Sequence, residues 1–142
     1  MIARALEFRI VLYVLGAVQF LSGVWITISP RSFYEDFPFG RGWVEALPAY
    51  NEHLTRDVGG LFMATGALLL IAGVILERRL TIIALVTWLL FAIPHMAYHL
   101  LNLEPYGTAD TVGNVVALAA TVLLPIYLLV VLLRANVRQP PA

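Results

Sequence analysis

Four long apolar runs, separated by polar or aromatic connections, account for most of the sequence. They cover residues 10–29, 58–76, 80–101 and 112–133, and each can cross the hydrocarbon core of a bilayer, which needs about 20 mostly apolar residues. Because lipid offers no hydrogen-bond partner to an open backbone, such spans must be helical. The pattern predicts an all-α integral membrane protein, an antiparallel four-helix bundle formed by one domain over residues 1–142.

The connections between the spans differ in length. Residues 77–79 are Glu-Arg-Arg, so spans two and three are predicted to form a tight antiparallel hairpin. The first connection, residues 30–57, is long and rich in aromatic residues, which is typical of a segment lying at the membrane interface. We expect it to pack against the bundle, with Asn51 as the N-cap of a helix that leads into span two.

Residues inside the spans indicate how the helices pack. Gly59, Gly66 and Gly73 recur every seven residues along span two, which places them close to one face of that helix. Small residues on a shared face let neighbouring backbones approach closely. Gln19 is predicted to form a hydrogen bond between helices, and Pro94 to kink span three.

Composition supports the membrane assignment and excludes several function classes. The chain is 61% hydrophobic and 13% charged, whereas soluble domains average roughly 45–50% and about 25%. The formal net charge of zero gives no basis for nucleic-acid binding. The absence of cysteine excludes disulfides, thiolate metal sites and iron–sulfur clusters.

The arginines are distributed unequally between the two ends of the predicted bundle. The end with the termini and the short loop carries Arg4, Arg9, Arg78, Arg79, Arg134 and Arg138. The end with the long connection carries Arg31, Arg41 and Arg56. Basic residues favour the cytoplasmic side, so the sequence predicts a multi-pass protein of the cell membrane with both termini in the cytoplasm.

All three histidines fall at the predicted outer end of the bundle. His95 and His99 are four residues apart on span three, so both rings project from one helix face. With His53 they form a reasonable ligand set for Zn²⁺, Fe²⁺ or Cu²⁺. Asp57 or Glu52 is then a fourth ligand, or orients a ligating histidine. This layer is the main functional signal in the sequence.

Arg56 and Asn114 complete the polar layer as further candidates for supporting or replacing these ligands. The two histidines of span three do not form a metalloprotease motif, because Met96 stands where H-E-x-x-H requires glutamate. Haem ranks below a bare metal ion. A haem held from both faces cannot use both members of an i,i+4 pair and would need His53 on the opposite side.

Three stretches resemble the small four-span membrane proteins of unknown function that are common in actinobacteria. They are F-Y-E-D-F-P at 33–38, Y-N-E-H-L-T-R-D-V-G at 50–59 and P-H-M-A-Y-H at 94–99. The resemblance runs from about residue 8 to residue 133. It implies the same four-span topology and points to the same histidines, but implies no reaction. A looser likeness to DoxX-like four-helix proteins rests on architecture.

Two functions from different classes follow from this sequence. The first is an outward-facing metal site with redox or hydrolytic chemistry. The second is a non-enzymatic membrane subunit, or a lipid or quinone binder, whose His/Asp/Arg layer is a structural or headgroup-binding network. A transporter is disfavoured, because apart from His95 and Gln19 no polar residue lines a path toward the cytoplasm. The predicted partners are the lipid bilayer, further copies of the chain or a larger membrane complex.

Overall fold

The structure is a computed structural model that describes residues 2–47 and 49–137, with side chains described over 5–47 and 49–134. It is all-helical over these residues, and four of its helices are long and apolar enough to cross a membrane. The predicted all-α four-helix membrane bundle is therefore confirmed. The helices are α1 (Ile2–Ile28), α2 (Pro30–Asp36), α3 (Glu52–Ile75), α4 (Arg78–Leu101) and α5 (Thr108–Val137).

The most extensive helix pair is α1 with α3, and glycines let the two backbones meet. A Cβ atom added to Gly66 would lie 2.6 Å from the backbone nitrogen of Phe20. One added to Gly23 would lie 2.6 Å from the backbone nitrogen of Met63. These distances leave no room for any side chain at either glycine. The close packing predicted for the glycine face of span two is confirmed, and α1 is its partner.

The other main helix pair is α4 with α5. Trp88 on α4 is buried and donates its indole N–H to the backbone carbonyl of Thr121 on α5, at 2.7 Å. Leu85 and Leu128 are fully buried in the core that joins all four long helices. This pair supplies the second half of the bundle.

Gln19 is buried on α1, where its side-chain amide faces α3. Its Nε2 lies 3.5 Å from Oγ1 of Thr65, at the outer limit of hydrogen-bonding distance. The contact between two helices that the sequence predicted for Gln19 is confirmed. The polar side chain of Gln19 therefore contacts a neighbouring helix and is shielded from lipid.

Capping residues set where α3 and α4 begin. Asn51 accepts a hydrogen bond from the backbone N–H of Leu54 at 3.1 Å, so α3 starts at Glu52, six residues before the apolar run at 58. The predicted N-cap is confirmed. At the other end of the bundle, Glu77 accepts hydrogen bonds from the first backbone N–H groups of α4, which lowers the pKa of its carboxyl group. The hairpin connection is thus even shorter than predicted.

The long connection is packed onto the bundle, as the sequence predicted. Its first part forms α2, where Phe33 is buried and meets Trp25 of α1 edge-on, with ring centroids 5.5 Å apart. Phe37 stacks against Phe33 at 4.7 Å. The aromatic residues of the connection therefore serve as its anchor to the end of α1.

Candidate functional site

The predicted polar layer divides into separate groups, and the first is exposed. Nε2 of His53 lies 3.0 Å from Oδ2 of Asp57, one turn further along α3. The two side chains are 86% and 63% exposed. Asp57 contacts His53, but the pair faces away from the interior of the bundle, and the role predicted for Asp57 in orienting a ligating histidine stays a prediction.

The second group is a link between helix ends. Arg56 binds the carboxylate of Glu52 at 2.9 Å and donates to the backbone carbonyl of Thr27 at 2.8 Å. The carbonyl belongs to the last turn of α1, where backbone oxygens lack helical partners. Arg56 therefore ties the start of α3 to the end of α1, which is a structural role.

His95 and His99 form the third group, on the side of α4 that meets α3. Their ring centroids are 4.6 Å apart, and the His95 ring stacks on Phe91 at 4.9 Å. Phe91 in turn meets Phe62 of α3 at 5.1 Å. The face that carries both histidines thus turns toward α3, the helix that carries His53.

The three histidines are not gathered into one metal-binding cluster. Nowhere in the described part of the chain do three His, Asp or Glu side chains lie close enough to hold one ion. His53 pairs with Asp57, and His95 with His99, so each pair offers two ligands, whereas catalytic zinc sites use three from the protein. The described side chains do not bring together enough ligands for one metal ion, and metal binding stays a prediction.

Asn114 lies in a fourth group, which fastens the long connection to α5. It is buried and hydrogen-bonds Tyr106, whose hydroxyl donates to the backbone carbonyl of Trp43 at 2.6 Å. The indole N–H of Trp43 donates to Asp110 at 2.8 Å, and Arg41 forms a salt bridge with the same carboxylate. We call Arg41, Trp43, Tyr106 and Asp110 the loop clamp. Asn114 supports this clamp, and no contact with a histidine is among those of its described side chain.

An open pocket of about 270 Å³ lies where the long connection crosses the start of α3 and the end of α4. His95 and His99 line it, and the four predicted candidates on α3 (Glu52, His53, Arg56 and Asp57) do not. The described residues that line it are Tyr34, Val44, Leu47, Ala49, Tyr50, Asn51, Leu54, Thr55, His95, Tyr98 and His99.

Two polar atoms of this pocket are buried and have no hydrogen-bond partner among the residues that the structure describes. They are the hydroxyl oxygen of Tyr50 and Nδ1 of His99. Buried polar groups are almost always paired, so these two atoms are available to hydrogen-bond a molecule that enters the pocket. Burial raises the pKa of the Tyr50 hydroxyl, which is therefore protonated and free to donate. Nδ1 of His99 donates or accepts according to its tautomer.

The pocket carries little formal charge. None of its described lining residues is Arg, Asp or Glu, although the guanidinium carbon of Arg31 lies 5.6 Å from the centroid of the Tyr50 ring. A phosphate or carboxylate would meet no cation among these lining residues. The lining suits an uncharged group with an oxygen atom, such as a carbonyl, ester or hydroxyl.

Sequence reasoning missed the pocket's two loop tyrosines, Tyr34 and Tyr50. Their rings are in contact, with centroids 5.2 Å apart. The sequence did hold one signal for Tyr50. It directly precedes the predicted N-cap Asn51, which places Tyr50 beside the N-terminal end of α3.

Comparisons with protein-family models, with curated proteins and with solved structures find no match to this chain. The likeness to small four-span actinobacterial proteins therefore stays a prediction.

Proposed function

We propose that this membrane protein is a non-enzymatic binder that holds the uncharged polar head of a lipid or quinone in the pocket. The observation that carries the proposal is the pair of buried, unpartnered atoms, the Tyr50 hydroxyl and Nδ1 of His99, in a single pocket. A carbonyl, ester or hydroxyl oxygen of a ligand would satisfy both. The rest of the polar layer then has a structural role, through the Arg56 link and the loop clamp.

The competing metal hypothesis has less support. The adjacent rings of His95 and His99 favour it, but an ion bound there would need further ligands from water or from another molecule. An uncharged ligand head needs no such additions, because it uses the groups that already face the pocket.

Removing the two unpaired groups is expected to weaken binding of a photoreactive 16-carbon monoacylglycerol, or of a benzoquinone with a ten-carbon chain. Tyr50→Phe and His99→Phe keep the rings and remove the polar atoms. A net hydrogen bond contributes about 0.5–1.5 kcal/mol. The double variant should therefore bind roughly tenfold more weakly in lipid nanodiscs, measured by saturable photolabelling or by tryptophan quenching.

The matched control is His53→Ala, which removes an exposed histidine that does not line the pocket, and it should bind as the unaltered protein does. Absence of saturable binding of both probes would contradict the proposal, as would equal weakening by His53→Ala. Elemental analysis of protein purified without a tag tests the alternative. Stoichiometric zinc, iron or copper that is lost in His95→Ala would favour the metal site instead.

We also propose that both termini are cytoplasmic and that the long connection faces outward, on the unequal distribution of arginine. Reporter fusions after Arg79 and after Ala142 should read as cytoplasmic, and a fusion after Trp43 as external. An external signal from the fusion after Ala142 would reverse the orientation. Arg138 and the side chain of Arg4, both counted in that distribution, lie outside the part of the chain that the structure describes.

A further inference from the structure

The pocket also indicates the route by which its ligand arrives. Resting on the proposed function, we infer that the ligand enters sideways from the bilayer, between Leu54 on α3 and Tyr98 on α4, and leaves an apolar chain in the lipid. The ligand is then an uncharged amphiphile with a long hydrocarbon chain, and not a water-soluble metabolite.

Ala49, Asn51, Leu54 and Tyr98 line the pocket and are exposed, and Leu54 and Tyr98 are the large hydrophobic residues among them. Leu54 is 61% exposed and Tyr98 is 49% exposed. Both belong to helices that are apolar enough to span a membrane, Leu54 in the first turn of α3 and Tyr98 in the last turn of α4. Because those turns are the outer ends of predicted spans, we expect them to lie near the boundary between hydrocarbon and headgroups, which is where the polar heads of amphiphiles reside.

The long connection lies over the pocket on the side away from the membrane. Tyr34 donates its hydroxyl to the backbone carbonyl of Leu47 at 3.3 Å, and its ring contacts that of Tyr50. The loop clamp holds the same connection to α5 through Trp43 and Asp110. The loop side of the pocket is thus formed by a fastened segment, whereas the lateral side is formed by two exposed, large hydrophobic side chains.

The contact between α3 and α4 is suited to admit a chain. These helices pack together far less extensively than α1 and α3, which glycines join backbone to backbone. Deeper in the membrane, Phe62 and Phe91 meet across the two helices and close the space below His95. A ligand whose head reaches His99 therefore extends its chain outward into lipid and not down into the core.

Narrowing the opening should slow association. We expect Leu54→Trp to slow photolabelling by the 16-carbon monoacylglycerol at least about fivefold. In this experiment, vesicles that contain the probe are mixed with nanodisc-embedded protein, and samples are flashed at increasing times after mixing. Leu61→Trp is the matched control, because Leu61 is 65% exposed two turns further along α3 and does not line the pocket. Tyr98→Ala widens the opening and should speed labelling, which keeps the test available if Leu54→Trp does not fold.

A second comparison uses the same head on a different chain. The glycerol ester of a two-carbon acid should compete with the long-chain probe only at more than about 100-fold higher concentration, because it does not concentrate in the bilayer. Competition by the short ester at equal concentration would overturn the lateral route, as would unchanged labelling rates in both Leu54→Trp and Tyr98→Ala. Failure of both the monoacylglycerol and the benzoquinone to bind at all would instead refute the proposed function.

Discussion

Gly66→Ala should destabilise the protein more than any other single methyl group added to α3. The new Cβ would lie 2.6 Å from the backbone nitrogen of Phe20 and 2.8 Å from its Cα atom. Backbone atoms of a packed helix cannot move aside as a flexible side chain can, so α1 and α3 must separate. Overpacking of this kind costs about 1–3 kcal/mol, and we expect the upper end. Unfolding in mixed detergent micelles, followed by circular dichroism, measures the change.

Gly60→Ala provides the matched control on the same helix. A Cβ at Gly60 meets nothing within 4 Å, so this change adds the same methyl group without a clash. Its expected effect lies between zero and a gain of about 1 kcal/mol, because alanine favours a helix over glycine. Gly23→Ala should behave like Gly66→Ala, since its Cβ would lie 2.6 Å from the backbone nitrogen of Met63. Equal stabilities of the Gly66 and Gly60 variants would contradict this account of the interface.

The glycine interface shows what the sequence could predict and what it could not. The seven-residue spacing of Gly59, Gly66 and Gly73 predicted a closely packed face, and that is confirmed. The partner helix was not predicted. Gly16 and Gly23 of α1 are also seven residues apart, and they meet Gly66 and Met63. A repeat on one helix specifies a face, whereas identifying its partner requires the matching repeat on another.

The helix that contains span two begins before its apolar run, as the predicted N-cap at Asn51 requires. Apolar length placed the start of span two at 58, but the helix begins at Glu52. Asn51 caps the helix, and the polar turns that follow it are long enough to form a link from Arg56 to α1. Hydropathy detects the part of a helix that lies in lipid, while capping residues detect where the helix itself begins.

The sequence predicted how far along the bundle the candidate residues lie, but not which way all of their side chains point. The sequence correctly placed His95 and His99 on one face, and the structure turns that face toward α3. It also placed His53 at a similar depth, yet His53 points outward with Asp57. Depth along the membrane follows from counting residues, but the rotation of one helix relative to another depends on packing. The path of the loop that brings Tyr50 over His99 depends on packing as well.

Removing the carboxylate of the loop clamp should expose the long connection to proteolysis at one identifiable bond. Asp110 accepts from both Arg41 and Trp43, so Asp110→Ala removes the two contacts that fasten this part of the connection to α5. The Arg41–Gly42 bond should then be cut by an arginine-specific protease at least about fivefold faster, because cleavage follows the population of the opened segment. Mass spectrometry of the fragment that begins at Gly42 measures the rate in nanodiscs, where both faces are accessible.

Glu104→Ala is the control for charge. Glu104 is an exposed carboxylate in the neighbouring connection and forms no ion pair in the described structure, so its loss changes the net charge equally without touching the clamp. Its cleavage rate should match that of the unaltered protein. Tyr106→Phe, which removes only the hydroxyl bound to the Trp43 carbonyl, should give an intermediate rate. If Asp110→Ala and Glu104→Ala were cut equally slowly, the connection would be held by its aromatic anchor at Phe33 and Phe37 alone, and the clamp would have no part in covering the pocket.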